Sequence, residues 1–232
     1  MDMFANGDFV KIEYSMYRLS DNALVRTTDK AAAEKGGIYS SEAKYAPQLV
    51  VIGKGMLFKK LEEAISGMKT GESKEVELDA NDAYGERSKD LVRIMPLADF
   101  RKRDINPQPG MQIEIDDAVA TVMSVNSGRV MVDANHPLAG ERLRYQLKVV
   151  EKIEKDEDKV RALEDMNDIK ADKAFIEKEN GIVRINFGTV IKKDANYFVR
   201  KSGLVYSILD YMDGIKKVVV EEEHSKEEKG TA

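Results

Sequence analysis

The sequence predicts an α+β fold: an antiparallel sheet wrapped on one helix, with an inserted mostly-β domain and a C-terminal α+β (αββαβ) unit. Three observations predict it. Apolar and polar residues alternate with period two in three well-separated segments. One stretch with helical spacing lies between the first two. A long segment with strand signals of its own divides the last two.

In the first strand Val10, Ile12, Tyr14 and Met16 alternate with Lys11, Glu13 and Ser15, so one face is buried and the other wet. Ser20-Asp21-Asn22 reads as a turn, and Leu24-Val25 opens the return strand. Asp29 to Pro47 is long and irregular, with a short helix expected at Ala31 to Ala33. Gln48 to Ile52 is a short apolar strand that stops at Gly53-Lys54-Gly55. Leu57, Leu61, Ala64 and Ile65 then fall at helical spacing, and Gly67 stands where a left-handed C-cap belongs. Glu75 to Asp79 is the next half-buried strand. Leu143, Tyr145, Leu147 and Val149 alternate with Arg144, Gln146 and Lys148 in the last.

The segment between those two strands is too long for an ordinary loop. Leu91 to Ile94 precedes Pro96, and Met111 to Ile115 follows Pro109-Gly110. Ala118 to Val125 and Arg129 to Val132 flank Asn126-Ser127-Gly128, a hairpin signal. After Val150, Lys152 to Asp158 reads as a charged linker or helix start and Lys159 to Met166 as helix. Phe175-Ile176 and Ile182 to Phe187 form a hairpin about Asn180-Gly181. Asp194 is placed to cap a helix striped by Leu204, Val205, Ile208, Leu209 and Met212. Lys216 to Val220 closes as a strand, and the tail from Glu221 carries five Glu against two Lys, the composition of a solvated segment. The expected division is 1–86 with 137–151, then 87–136, then 152–232.

Composition narrows the function classes. Apolar residues make up 42% of the chain, enough for cores, and a formal charge of −5 gives no electrostatic reason to expect nucleic acid, which favours basic faces. The absence of cysteine excludes disulfides, thiolate metal sites and Cys nucleophiles. The two histidines, His136 and His224, lie far apart in sequence without neighbouring ligands, so neither a metal nor another cofactor is expected. Met1 to Asp8 lacks the pattern of a secretory signal, and no apolar run approaches the roughly 18 residues of a membrane span. These readings predict a cytoplasmic protein without membrane partners. Gly53-Lys54-Gly55 precedes a helix, but the spacing of a phosphate-binding loop is absent.

Three motifs in order carry a family resemblance. Lys11-Ile12-Glu13-Tyr14 opens the sheet, Ile52 to Glu62 (IGKGMLFKKLE) leads into the helix, and Asn81-Asp82-Ala83-Tyr84-Gly85 follows the next strand. Together they resemble the FKBP-type peptidyl-prolyl cis-trans isomerases. Asn135-His136-Pro137-Leu138-Ala139-Gly140 resembles the SlyD-like branch, in which a chaperone domain replaces the flap. With the extra C-terminal region, the chain is most similar to archaeal long-type members. The resemblance implies a pocket lined by Tyr14, Val25, Leu57, Phe58, Leu61, Tyr84 and Tyr145. Within it, the Phe58 N–H and the Tyr84 hydroxyl would donate to substrate carbonyls, and Leu61 would form the floor where many members carry Trp. Arg26 stands where the family usually has Asp, and Lys60 where it usually has Gly.

The chemistry implied suits these residue types. Rotation about a peptide bond faces a barrier of about 18–20 kcal/mol because the planar form is resonance-stabilised. The twisted transition state is less charge-separated, so an apolar, dehydrated pocket favours it without nucleophile or metal. Expected substrates are unfolded or partly folded proline-containing polypeptides. The insert, with Ile94 and Met123 among its apolar residues, is expected to capture them.

Taken alone, Tyr14 and Tyr145 are explained as well by core packing as by a site. A holdase chaperone on the same scaffold with little isomerase activity is the alternative function. The stripe from Leu204 to Met212 can pack on its own sheet or against a second copy in a homodimer.

Overall fold

The computed structural model describes residues 3–115, 118–189 and 195–224. The expected helix cap at Asp194 and most of the acidic tail lie outside the described residues. The fold is α+β, with three sheets and five α-helices among the described residues. The chain divides into two compact units, one of Met1–Tyr17, Leu24–Val76 and Tyr145–Ala232, the other of Arg18–Ala23 and Glu77–Arg144.

In the first unit, β1 (Phe9–Arg18) is the spine of a five-stranded sheet. Its early half pairs antiparallel with β3 (Gln48–Val51) and its later half with β2 (Leu24–Thr27). Ile12, Tyr14 and Met16 are buried while Lys11, Glu13 and Ser15 are half-exposed, as the alternation predicts. Between β2 and β3, α1 (Lys30–Lys35) starts where the Asp29 carboxylate accepts the Ala32 N–H at 3.1 Å. Helix α2 (Lys59–Ser66) buries Leu61 and Ile65.

Gly67 does not adopt the expected left-handed cap: its φ is −86°. The helix ends instead in a tight turn in which the Met68 N–H donates to the Ile65 carbonyl, because fully buried Met68 must point back into the core. Left-handed backbone comes later, at Gly71, with φ 83°. Strand β4 (Ser73–Leu78) follows.

Strand β9 (Leu143–Ile153) runs three residues beyond Val150 and is followed closely by α4 (Asp156–Met166). The charged linker or helix start expected at Lys152 to Asp158 therefore takes in the end of β9 and, as its second alternative has it, the first turn of α4. Ile153 is buried, and its neighbours Glu151 and Lys152 disguised the strand in the sequence. The next elements are β10 (Lys173–Glu177), β11 (Ile182–Thr189), α5 (Tyr197–Tyr211) and β12 (Lys217–Glu223). Strands β10 and β11 are antiparallel, whereas β11 and β12 are parallel with α5 as their crossover. This C-terminal αββαβ region shares one core with the sheet. Phe9, Leu49 and Val51 of β1 and β3 cluster with Val160 and Leu163 of α4, Ile185 of β11, and Leu204 and Ile208 of α5.

In the second unit the insert sheet has the order β5-β8-β7-β6, antiparallel throughout. These strands are β5 (Val92–Pro96), β6 (Gln112–Ile115), β7 (Ala118–Asn126) and β8 (Arg129–Asp133), with α3 (Leu97–Arg101) after β5. Ser127-Gly128 joins β7 to β8 with φ of 47° and 78°, the paired positive values that fit strand twist. Phe100, Ile113, Ala120, Val122, Val130 and Val132 form its core. The entering and leaving segments are clasped together. Arg87 pairs with Asp133, which is only 3% exposed, and Asn135 exchanges hydrogen bonds with the Ser88 backbone at 2.8 and 2.9 Å. Burial pushes the Asp133 carboxyl up, but hydrogen bonds from Asn135 and the charge of Arg87 outweigh it and hold the group below its ordinary value.

Candidate active site

In the first unit Tyr14 and Tyr145 occupy inward positions on β1 and β9, 8% and 6% exposed, with ring centroids 6.0 Å apart. β1 and β9 are neighbours in the sheet, and adjacent strands bring side chains of one face within this reach. Leu61 is buried on α2 at 1% exposure, a rigid apolar position. Leu57 and Phe58 precede the helix and are half-buried, with Phe58 at the N-cap. The Phe58 carbonyl accepts the Leu61 N–H at 2.8 Å. Val25 is half-buried and Arg26 exposed on β2.

In the second unit Tyr84 follows a short 3-10 turn at Ala80–Asp82 and is half-buried. Its ring lies flat on His136, with centroids 3.9 Å apart and planes 4° from parallel. Main-chain bonds fix both sides of the stack. The Gly85 N–H reaches the Ala80 carbonyl at 2.7 Å and the Gly140 N–H reaches the Gly85 carbonyl at 2.8 Å. Gly85 has φ 78°, which a side chain there would disfavour. The Leu138 N–H donates to His136 Nδ1 at 3.1 Å and sets the orientation of the imidazole.

Ile94 and Met123 belong to the same unit and are exposed, at 61% and 48%. Ile94 stands opposite Met131 across β5 and β8, and Met123 sits at an irregularity of β7. Phe100 and Ile113, by contrast, are in the insert core. The described residues hold no group of three or more His, Asp or Glu placed to bind a metal ion. No described helix is long and apolar enough to cross a membrane.

The family model described as FKBP-type peptidyl-prolyl cis-trans isomerase matches residues 2–101, and that described as FKBP26, IF domain matches residues 93–138. The short-type peptidyl-prolyl cis-trans isomerase of Methanocaldococcus jannaschii is 33% identical over 149 residues, covering 64% of this chain and 94% of the relative. This chain belongs to the FKBP-type peptidyl-prolyl cis-trans isomerases. The SlyD isomerase of Escherichia coli is 31% identical over 137 residues, 57% of this chain and 69% of that one. A probable FKBP-type 16 kDa isomerase of Pseudomonas fluorescens is 27% identical over 139 residues, 58% of this chain and 91% of its own length. The FKBP assignment agrees with the SlyD-like resemblance of the motifs.

Two side chains that contact the predicted site residues of this FKBP, one in each unit, were not evident in the sequence. Glu62 lies one turn into α2, and its carboxylate accepts N–H groups from Gly53 at 3.2 Å and Leu57 at 3.3 Å. It thereby ties the Gly53 to Phe58 loop to the helix. The only advance signal was an acid in the first turn of α2, which reads as an ordinary helix-dipole residue. His136 was legible only as part of a loop motif, since a ring stacked across 52 positions leaves no local pattern.

Proposed function

We propose that this isomerase acts on X-Pro bonds through an apolar pocket built from Tyr14, Leu57, Phe58, Leu61 and Tyr145, with Val25 at its edge. The Tyr84 hydroxyl and the Phe58 main-chain N–H hold substrate carbonyls. The observation that carries this reading is the nearly buried Tyr14–Tyr145 ring pair on adjacent strands. Uncatalysed exchange takes on the order of tens of seconds. Moving the bond out of water favours the less polar twisted state, and a few directed hydrogen bonds keep the chain from turning as a whole.

The insert, residues 87–136, captures unfolded proline-containing segments on the face bearing Ile94, Met123 and Met131. Exposed methionines and a branched aliphatic on one sheet face adapt to varied apolar sequences. Attachment to the catalytic part, residues 1–86 and 137–151, raises the local concentration of prolines at the pocket. The C-terminal part, residues 152–232, turns Leu204, Ile208 and Met212 inward and leaves Val199, Tyr206 and Leu209 exposed on α5, a face suited to a homodimer. The protein works in the cytoplasm and uses neither nucleic acid nor membrane.

Refolding of a proline-limited test protein tests the reading, with wild type compared against Tyr84→Phe and a chain lacking Arg87 to Asn135. Acceleration by wild type, weakened by both changes, supports it. Suppressed aggregation without acceleration refutes the pocket and leaves a holdase on an isomerase scaffold. Sedimentation of wild type against Tyr206→Glu tests the dimer.

A further inference from the structure

We propose that Arg26 selects substrates with an acidic side chain one or two residues from the proline, in a cleft whose far wall is the C-terminal helix α4. The proposal rests on the reading of Tyr14 as part of the catalytic pocket.

A cleft of about 370 Å³ opens within the first unit, and Tyr14 lines it together with Arg26 and Lys44. Tyr14 also pairs with Tyr145, so the cleft and the proposed pocket share a residue. Leu49 and Met56 contribute apolar surface, and Asp165 and Met166 of α4 stand in its lining. A polypeptide leaving the pocket past Tyr14 therefore meets a channel with apolar walls and a charged rim.

The charges on that rim are unequal. Arg26 and Lys44 oppose Asp165, two cations against one acid, on a chain whose formal charge is −5. The Arg26 guanidinium is exposed and forms no ion pair or side-chain hydrogen bond among the described residues. Lys44 Nζ donates to the Asp165 main-chain carbonyl at 3.1 Å, a contact that leaves its charge uncompensated. A guanidinium with all its donors available offers a carboxylate two parallel hydrogen bonds. The overall negative charge of the protein disfavours acidic clients at long range, so a local positive spot is where such a client would be retained.

The wall is held in place as well as charged. Val160, Ala162 and Leu163 of α4 are buried in the core that contains Leu49 and Val51 of the catalytic sheet. The same packing that fixes α4 thus fixes Asp165 and Met166 in the cleft lining they share with Arg26. This gives the C-terminal region a part in specificity, in addition to any role in assembly.

The test is kcat/KM by NMR exchange on blocked peptides carrying Glu, Gln or Lys at each position within two residues of the proline. At low ionic strength wild type is expected to prefer Glu over Lys by about tenfold at one position, falling toward about twofold at high salt. Arg26→Gln should shrink this ratio, Arg26→Glu should invert it, and Asp165→Asn should enlarge it. The readout is the ratio, which a general loss of activity or stability does not move. A wild-type ratio near one at every position, or a ratio that survives Arg26→Glu, overturns the proposal. Failure to accelerate the Gln peptides refutes the pocket reading itself and takes the proposal with it.

Discussion

Replacing His136 by alanine removes the ring stacked on Tyr84 at 3.9 Å while leaving the Tyr84 hydroxyl in the chain. An aromatic pair contributes about 0.5–1.5 kcal/mol beyond the area it buries. His136 is otherwise exposed, so little of the core depends on it. If the stack serves to aim the hydroxyl, that energy is lost from transition-state binding, and kcat/KM should fall by about 2- to 12-fold. Tyr84→Phe keeps the stack and removes the hydrogen bond, which a typical net value of about 0.5–1.5 kcal/mol places in the same range. The double variant then separates orientation from independent effects. A residue acting only through the Tyr84 hydroxyl adds nothing once that hydroxyl is gone, so His136→Ala on top of Tyr84→Phe should cost less than twofold. The assay is kcat/KM on a neutral peptide by NMR exchange, with urea unfolding as the control for stability. An unchanged kcat/KM in His136→Ala, or losses that multiply in full in the double variant, would refute the reasoning.

Glu62→Ala frees the Gly53 and Leu57 N–H groups together, and should lower kcat/KM by about tenfold while costing about 1–2 kcal/mol in urea unfolding. An activity loss no larger than the stability loss explains would remove its positioning role. Ending the chain after Glu151 uncovers Phe9, Leu49 and Val51, each worth about 1.5–3 kcal/mol when buried, so the shortened protein should lose at least about 4 kcal/mol of stability. Equal urea midpoints for the two chains would show that the shared core is dispensable. In the C-terminal sheet, Lys201 holds the Glu222 carboxyl down to about 2 through hydrogen bonds at 2.8 and 2.9 Å, with His224 and Tyr197 assisting against partial burial. A depressed carboxylate stabilises the fold above its unfolded value and loses that contribution as pH falls through the folded one. Stability on the order of 2 kcal/mol should therefore disappear between about pH 4.5 and 2, and Glu222→Gln should flatten that window in acid titrations followed by circular dichroism. An unaltered acid limb in the variant would assign the loss elsewhere.

The strands were readable because burial on one face of a sheet imposes period two on the sequence. Ile12, Tyr14 and Met16, and again Leu143, Tyr145 and Leu147, each announced both an element and its inward face. The hairpin at Ser127-Gly128 was legible for a related reason, since positive φ values restrict which residues can sit there. The proposed site residues were legible only where they sit in contiguous motifs, namely Leu57 to Leu61 and Asn81 to Gly85. Gly67 was misread because the demand for a left-handed cap depends on where the chain goes next, and buried Met68 sent it elsewhere.

The sequence by itself determined the α+β class, most of the order of elements, the inward residues of the strands at Val10 to Met16 and Leu143 to Val149, and the family to which the motifs point. All of these follow from interactions that repeat along the chain or sit within a few residues of each other. The tertiary structure alone decided that β12 runs parallel to β11 and that Phe9, Leu49 and Val51 share a core with the C-terminal helices. It also decided that His136 lies on Tyr84, and that Arg26 and Asp165 line one cleft. These partners are separated by tens of residues or more, and a single sequence holds no periodicity that links them. Only the packing that closes the chain on itself brings them together.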